Sequence, residues 1–522
     1  MDGSSRTNRS EKQNKPIAGI TAHSLNSHYA AISTDTQYQS SERKPHILAN
    51  ATELLTEWDM FNLLDKLRPT ATGLDQLPAW FLRLAAPFFC RPLTRLFNLS
   101  FTTAVVPQQW KRAVICPVPK VAAPTTHTDF RPISVTPVLT RIMEKAVVHK
   151  YLYPAYLAPP ETCTLTDQFA FRPTGSTTAA LISILHSVTS LLTTNSYVIV
   201  IALDFSKAFD TVRHSTLLQK LAQYNLPDNV FNWIHDFFQD HSHCTTFNKQ
   251  TSSFLKITAS IFQGSAIGPA MYVVNASDLK AVTPGNLLCK YADDTYLIIP
   301  ACNAESRIHE LQNIENWSKL NNLMLNRSKS VEIIFSDKRR KRSVSPPPPI
   351  ASITRSNSLK ILGVTVTNGL SMAEHVHNII ISSGQTLHAL RILRAHGMCT
   401  AALQEVFRSV VIAKLYYAAS AWWGFASSAD KQRFASFIRR CVRLGFCPTD
   451  IANPDDYVKA ADDTLFNRIL TDNNHILNQL LPDTLDKHYN LRSRRHNMRL
   501  PSKDTKLIEN NFINRVLYRD MY

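Results

Sequence analysis

Three aspartates lie where apolar runs of strand length end. Asp204 follows YVIVIAL at 197–203, and Asp293 and Asp294 are adjacent within KYADDTYLII at 290–299. Adjacent carboxylates repel each other, and a polar turn alone could use Asn-Gly or Asp-Gly without that cost. The pair therefore indicates a cationic partner.

The order of elements predicts that these aspartates meet. Apolar patterning predicts, in chain order, a buried strand at 197–203, an amphipathic helix at 206–224, a hairpin at 286–299, a helix at about 304–323 and a strand at 331–335. If the segment between the first helix and the hairpin is left out, the order is β-α-β-β-α-β, the ferredoxin-like arrangement. In that topology the first strand and the hairpin are close in an antiparallel sheet, so we expect Asp204 to lie beside Asp293.

Three carboxylates at one edge of a sheet predict a site for divalent cations. They cannot all stay ionised cheaply without a counter-charge. Hard oxygen ligands suit Mg²⁺, which keeps several waters and binds carboxylates together with substrate phosphates. Two such ions about 3.5–4 Å apart serve phosphoryl transfer. Each motif taken alone has another interpretation, because an aspartate after a strand is often a turn residue or helix N-cap and an Asp-Asp pair is often a solvated turn.

Composition favours a nucleic-acid partner. The chain has 522 residues, a net charge of +17 and a pI of about 9.5. A chain this basic usually meets a polyanion, most often nucleic acid and less often an anionic membrane; a basic protein without a dedicated partner is the alternative. The nine cysteines are scattered without a CxxC pair, which argues against a disulfide framework and a zinc site.

The sequence shows no feature that predicts secretion or membrane insertion. The first sixteen residues are polar and lack an apolar core, and no apolar run approaches the roughly 18–20 residues of a membrane span. We expect a soluble protein of the nucleus or cytoplasm that does not contact membrane.

Several motifs, in unbroken order from about residue 50 to 366, resemble those of reverse transcriptases of non-LTR (LINE-type, jockey-like) retrotransposons. YADD at 291–294, with ALDFSKAFD at 202–210 upstream, looks like the palm of a reverse transcriptase. The other similar segments are AVICPVPK…DFRPIS at 113–134, DQFAFRPTGSTTAAL at 167–181, FQGSAIGP at 262–269, LNRSKS at 325–330, LKILGV at 359–364 and the tail HYNLRSRRHN at 488–497.

The resemblance implies a metal-binding triad of Asp204, Asp293 and Asp294, with the backbone carbonyl of Phe205 as a further ligand. The implied cofactor is a pair of Mg²⁺ ions, with Mn²⁺ as the alternative. Lys329 would lie near the leaving pyrophosphate as a candidate general acid.

The resemblance also implies residues that bind substrate. Lys120 and Arg131 would hold the incoming triphosphate, Phe209 would exclude a ribose 2′-OH, and Gln263 and Gly264 would lie against nucleotide and template. Without the family context, the two cations are ordinary surface charges, the phenylalanine is a core residue and the Gln-Gly pair is an ordinary loop.

The implied fold is α+β: a right-hand polymerase with fingers, a ferredoxin-like palm and a helical thumb. The expected segments are a disordered N-terminal segment at 1–45, a helical extension at 46–110, fingers and palm at 111–366 with a basic Pro-rich loop at 336–350, a helical thumb at 367–450 and a basic C-terminal segment at 451–522. Two basic clusters, KRRKR at 338–342 and the arginines of the tail, are candidate phosphate contacts or solvated loops.

The implied function is RNA-directed DNA polymerase of a non-LTR retrotransposon. Its partners would be an RNA template, a DNA primer or target DNA, dNTPs and the element's own RNA in a ribonucleoprotein. The alternative is a catalytically inactive, nucleic-acid-binding remnant, because an endonuclease is missing and Ala270-Met271-Tyr272 replaces Leu-Leu-Phe after GP. Phe262 in place of the usual proline is a further departure, which suggests a diverged copy. The 45 residues or so before the helical extension cannot hold an endonuclease, so we expect a truncated element.

Overall fold

The computed structural model describes residues 19–45, 54–337, 345–485, 496–503 and 505–519. The chain divides into two compact units that each combine separated stretches of sequence. The first unit takes Met1–Cys163, Lys207–Asn275 and Leu320–Leu323, and the second takes Thr164–Ser206, Ala276–Lys319 and Met324–Tyr522.

The second unit contains a five-stranded sheet with the predicted strand order. Its strands, in spatial order, are Thr354–Ser356, Val331–Phe335, Val198–Leu203, Asp294–Pro300 and Leu287–Tyr291. The edge strand Thr354–Ser356 is parallel to its neighbour, and the other pairs are antiparallel. The remaining four strands, numbered along the chain, lie in the order fourth, first, third, second, which confirms the ferredoxin-like prediction.

The central strand Val198–Leu203 is buried because its run of apolar side chains is covered on both faces. The helix Thr177–Thr194 packs against this sheet and buries ten of its residues. It is the one helix among the described residues with the length and apolar composition of a membrane span, which the sequence analysis did not foresee. Its place in the apolar core is that of a core helix of a folded unit.

Helices make up most of the remainder of the second unit. They are Arg307–Leu320, Ala373–Ala395, Thr400–Val406, Ala413–Leu415, Ala419–Trp422, Ser428–Arg443, Pro454–Thr471, Lys506–Asn510 and Phe512–Leu517, with a π-helical turn at Phe407–Ile412 and 3₁₀ turns at Ala301–Ser306, Trp423–Phe425 and Asn478–Leu480. Short strand pairs form between Phe205–Ser206 and Met324–Leu325 and between Ser358–Ile361 and Val364–Thr367. Trp422 and Trp423 are buried in the helical core.

The first unit has its own sheet. Its strands run in the order Phe130–Val135, Arg112–Pro119, Ser242–Phe247 and Gln250–Thr251, with Leu255–Lys256 also paired to Ser242–Phe247. Its helices are Ala22–Ile32, Glu57–Asp65, Ala79–Leu84, Ala86–Thr103, Val138–Val147, Tyr153–Ala155, His214–Leu221, Asp228–Phe238 and Gly268–Asn275, with a π-helical turn at Val148–Leu152 and 3₁₀ turns at Gln108–Lys111 and His127–Asp129.

The expectation of disorder across 1–45 is wrong for the helix Ala22–Ile32. A capping box between Thr21 and Ser24 satisfies its first backbone donors. Leu25 and Tyr29 are buried in an apolar cluster, and the buried Asn26 donates its side-chain amide to the Ser253 carbonyl at 3.0 Å. The polar composition hid this helix because few apolar residues carry its packing.

Among the nine cysteines, which are all free, Cys163, Cys244, Cys289, Cys441 and Cys447 are buried. The KRRKR cluster and the tail residues Arg492, Arg494 and Arg495 lie outside the described residues.

Candidate active site

Asp204 is held by its backbone at the end of the central strand. Its N–H donates to Ser330 Oγ at 3.2 Å, and its carbonyl accepts from Asn326 N–H at 2.8 Å. Ser330 Oγ in turn donates to the Asn326 carbonyl at 2.8 Å. The 326–330 loop therefore fixes the chain on both sides of this aspartate.

Asp293 and Asp294 lie at the turn of the hairpin. Tyr291 pairs with Asp294, so Ala292 and Asp293 form the turn, and Ala292 has a left-handed φ of 57°. Leu203 pairs with Thr295 in the neighbouring ladder. Because the strands are antiparallel, the next position puts Asp204 opposite Asp294, whereas the sequence analysis expected Asp293 there.

The three carboxylates influence one another electrostatically. The pKa of Asp294 is raised to about 6 by loss of solvent around the carboxyl group and by the negative charges of Asp293 and Asp204. Burial is the larger cause, and the two like charges add to it. A divalent cation would remove this repulsion, and all-oxygen carboxylate donors are the type that Mg²⁺ prefers.

The described residues contain no group of three or more His, Cys, Asp or Glu side chains with the geometry of a preformed metal cage. A magnesium site does not require one, since Mg²⁺ keeps waters and takes one or two carboxylates with substrate phosphates. The donor chemistry therefore fits Mg²⁺, while the individual metal ligands stay a prediction.

Two further predicted residues lie near the triad along the chain. Phe205 begins the short strand Phe205–Ser206, and its ring packs edge-on against Trp317 at 6.0 Å. Lys329 is exposed on the 326–330 loop that holds Asp204. The roles predicted for the Phe205 carbonyl and the Lys329 ammonium group stay predictions.

The predicted phosphate-binding residues belong to the first unit. Arg131 pairs with Val118 across the hairpin of Arg112–Pro119 and Phe130–Val135, and Lys120 follows directly after the first of these strands. Lys120 Nζ donates to the Thr128 carbonyl at 2.9 Å. Both side chains are exposed, as residues that meet a charged ligand must be.

Asp210 joins the predicted substrate residues into one cluster. Burial raises its pKa to about 6, and Gln263, Lys207, Lys120 and Arg131 oppose that rise. Gln263 Nε2 donates to Asp210 Oδ1 at 2.8 Å. Asp210 lies within ALDFSKAFD, but no role was predicted for it, because Lys120 and Arg131 are distant from it in sequence.

Phe209 is partly buried and stacks on Tyr272 with ring centroids 4.5 Å apart. Both residues belong to the first unit. The stack holds the Phe209 ring in one orientation, which a residue that excludes a hydroxyl by contact requires.

The turn of Gln263 and Gly264 packs closely on a neighbouring strand. The Ser134 N–H donates to the Gln263 carbonyl at 2.9 Å. Gly264 has a φ of +115°, and a Cβ there would lie 2.2 Å from the Ser134 carbonyl oxygen. Only glycine fits this position.

The predicted residues thus form two groups. Asp204, Phe205, Asp293, Asp294 and Lys329 belong to the second unit, and Lys120, Arg131, Phe209, Gln263 and Gly264 belong to the first.

Comparison with protein families agrees with this geometry. Residues 118–366 match the family described as reverse transcriptase (RNA-dependent DNA polymerase). This range includes the whole triad and every predicted substrate residue. The chain therefore contains a reverse transcriptase domain.

Two curated relatives are named as RNA-directed DNA polymerases from mobile element jockey. The RNA-directed DNA polymerase from mobile element jockey of Drosophila melanogaster is 27% identical over 67% of this chain and 39% of its own length. The polymerase of the same name from Drosophila funebris is 24% identical over 75% of this chain and 44% of its own length. The chain thus spans less than half the length of either relative.

Among solved structures, telomerase from Candida albicans in complex with a fragment of telomeric RNA is similar, with a TM-score of 0.40 and 12% identity over 73% of this chain and 68% of that chain.

Proposed function

We propose that the chain is an RNA-directed DNA polymerase that copies RNA into DNA by two-metal nucleotidyl transfer. The observation that carries the proposal is the gathering of Asp204, Asp293 and Asp294 at one end of a ferredoxin-like sheet, inside the range that matches the reverse transcriptase family. A nucleotidyl transferase requires such a carboxylate group.

The reaction is attack of a primer 3′-OH on the α-phosphate of a dNTP, with loss of pyrophosphate. The three aspartates would hold the magnesium ions, which supply Lewis acidity to the reacting oxygens. Lys120 and Arg131 bind the triphosphate as a point charge and a fork of donors. Asp210 orients the Gln263 amide through the hydrogen bond of 2.8 Å, and Lys329 is the proton donor proposed for the pyrophosphate.

The proposed partners are an RNA template, a DNA primer or target DNA, dNTPs and the element's own RNA in a ribonucleoprotein. The net charge of +17 supports binding to such polyanions. The proposed location is the nucleus or the cytoplasm.

The unusual residues are packed within the fold. Phe262 is buried and stacks on His241 with centroids 4.0 Å apart. Tyr272 is buried and supports Phe209. Phe262 and Tyr272 thus both have aromatic partners within the fold.

Primer extension on an RNA template separates the two functions. The wild-type chain is incubated with a DNA primer annealed to RNA, the four dNTPs and Mg²⁺, and RNA affinity is measured in parallel by fluorescence anisotropy. If the chain is a polymerase, we expect a DNA product that requires all four dNTPs. Tight RNA binding without any incorporation would contradict the proposal and support the remnant.

A further inference from the structure

The hairpin strand that leads to Asp293 is braced along its outer edge. Leu287–Tyr291 is the last strand of its sheet, so its outer backbone groups lack a neighbouring strand. The Lys290 N–H donates to the Asp167 carbonyl at 2.7 Å, and the Phe169 N–H donates to the Lys290 carbonyl at 2.8 Å. The short segment Asp167–Phe169 therefore completes the ladder three residues before the catalytic pair.

The Gln168 side chain fixes the turn itself. Gln168 is 1% exposed, and its Oε1 accepts from the Ala292 N–H at 3.1 Å and from the Ala170 N–H at 3.0 Å. Ala292 is the left-handed residue of the turn, at φ 57°. A left-handed conformation costs a non-glycine residue roughly 1–2 kcal/mol, so the surrounding contacts must hold it.

Lys290 anchors the same strand from within the unit. It is fully buried, and its Nζ has three acceptors: the Ala276 carbonyl at 2.8 Å, the Leu279 carbonyl at 2.9 Å and Asp167 Oδ2 at 3.0 Å. An ammonium group has three donors, and all three are used. A buried charge is retained in a strand only when it is paired in this way.

We propose that Asp167, Gln168 and Lys290 form a positioning brace that presents Asp293 and Asp294 to the divalent cation. The brace acts through the backbone of Ala292 and does not touch substrate. This inference rests on the proposed polymerase function, because that function gives the carboxylate pair its cation.

The test compares Gln168→Met with the control Asn286→Leu in the full chain. Gln168→Met keeps the side-chain volume and removes the acceptor for Ala292. Asn286 precedes the other end of the same strand, is also buried, and donates to Ser306 Oγ at 2.9 Å and to Glu310 Oε1 at 2.8 Å. The control therefore reports a general loosening of the strand.

Binding of Mn²⁺ by electron paramagnetic resonance is the first readout, and hydrogen exchange of the peptide containing Ala292 is the second. Gln168→Met is expected to weaken the Asp293-dependent Mn²⁺ affinity by about tenfold, the low end for loss of a residue that orients metal ligands, and to speed exchange at the turn. Asn286→Leu is expected to change that affinity by less than about twofold, well below that range. If thermal unfolding shows that Gln168→Met does not fold, Gln168→Asn takes its place, since it retains the amide but shortens its reach.

A second substitution tests whether Gln168 acts through the left-handed turn. Glycine adopts positive φ without the steric cost of alanine, so Ala292→Gly added to Gln168→Met is expected to recover part of the Mn²⁺ affinity. Wild-type Mn²⁺ affinity in Gln168→Met would overturn the brace, as would equal losses in Gln168→Met and Asn286→Leu or no recovery with Ala292→Gly.

The brace and the polymerase can fail separately. Asp293-dependent Mn²⁺ binding that requires Gln168, in a chain that does not extend primers, would refute the proposed function and leave the brace standing. Primer extension and Mn²⁺ binding that are both indifferent to Gln168→Met would refute the brace alone. Absence of any Asp293-dependent Mn²⁺ binding would refute the brace.

Discussion

For the individual residues, the register of the strands determines which aspartates lie opposite each other. The register that pairs Leu203 with Thr295 puts Asp204 opposite Asp294 and leaves Asp293 at the tip of the turn. Burial and the neighbouring charges of Asp293 and Asp204 raise the pKa of Asp294, so an added positive charge there would lower the cost of keeping the carboxyl group ionised.

Phe209 provides a residue-scale prediction about sugar selection. Phe209→Val is expected to raise the ratio of ribonucleotide to deoxyribonucleotide incorporation by about tenfold, because removing ring atoms opens room for a 2′-OH. Single-nucleotide incorporation with matched rNTP and dNTP measures the ratio. Tyr272→Phe keeps the ring that supports Phe209, so its ratio should equal that of wild type; an unchanged ratio in Phe209→Val would contradict the prediction.

At the scale of the element, the helix Val138–Val147 holds the turn that follows Gln263. The fully buried Glu144 accepts from the Ala266 N–H at 2.5 Å and the Ile267 N–H at 2.9 Å through Oε2. Gly264 lies in the same turn against the Ser134 carbonyl. A helix, a strand and a glycine thus fix one loop, and each can be tested separately.

Gly264→Ala is expected to destabilise the chain by at least about 2 kcal/mol, because the new Cβ meets a backbone oxygen and the positive φ is strained. Gly384 is the matched control: it lies inside the helix Ala373–Ala395, and a Cβ there meets nothing within 4 Å. Gly384→Ala should therefore be neutral or stabilising by up to about 1 kcal/mol. Urea unfolding measures both, and equal effects of the two substitutions would rule out the role assigned to Gly264.

Glu144 predicts a pH dependence of stability. Burial raises its pKa to about 7, against the opposing hydrogen bonds from Ile267 and Ala266, whereas glutamate in an unfolded chain titrates near pH 4.3. Between these pH values the folded chain binds more protons at Glu144 than the unfolded chain does. The contribution of protonated Glu144 to the free energy of unfolding is therefore fully present below about pH 4.3 and is lost as pH rises through about 7.

Glu144→Gln removes this titration. Between pH 5 and pH 7.5 the wild type is expected to lose unfolding free energy on the order of 2–3 kcal/mol more than the variant does. Urea unfolding of both proteins at the two pH values measures the difference. Identical pH dependence in the two proteins would show that Glu144 does not titrate in this range.

Much of the second unit's sheet was predictable from sequence, because its strands are continuous apolar runs bounded by polar residues. The strand VEIIF at 331–335 has the predicted bounds, and the hairpin predicted at 286–299 comprises Leu287–Tyr291 and Asp294–Pro300. The roles of Gln168 and Lys290 were not predictable, because a buried lysine in a strand has no sequence signature and its partners are distant in the chain. The helix Ala22–Ile32 was missed since it depends on a capping box and a few tertiary contacts.

For the whole molecule, the excess of positive charge is the sequence property that bears most directly on the proposed function. The net charge of +17 favours association with any nucleic acid, and the base-independent phosphate contacts that result release counterions. In the proposed function, charge would supply affinity and the carboxylate site would supply the chemistry.

The affinity for single-stranded RNA is expected to fall by about 10³-fold between 50 and 200 mM salt, the size of effect for several phosphate contacts. Fluorescence anisotropy with a labelled RNA measures the slope. A change of less than about tenfold over that range would contradict a binding surface dominated by phosphate contacts.

We propose that Asp204, Asp293 and Asp294 hold the cations for nucleotidyl transfer. The most direct measurement is the rate of single-nucleotide addition to a primer on an RNA template with Mg²⁺, comparing wild type with Asp293→Asn. Asp240→Asn is the control, since Asp240 is exposed and pairs only at the surface with Lys256 at 3.3 Å. The account predicts that Asp293→Asn lowers the rate by about 10³-fold, while RNA affinity and the Asp240→Asn rate stay at wild-type values. Wild-type rates in Asp293→Asn would contradict it.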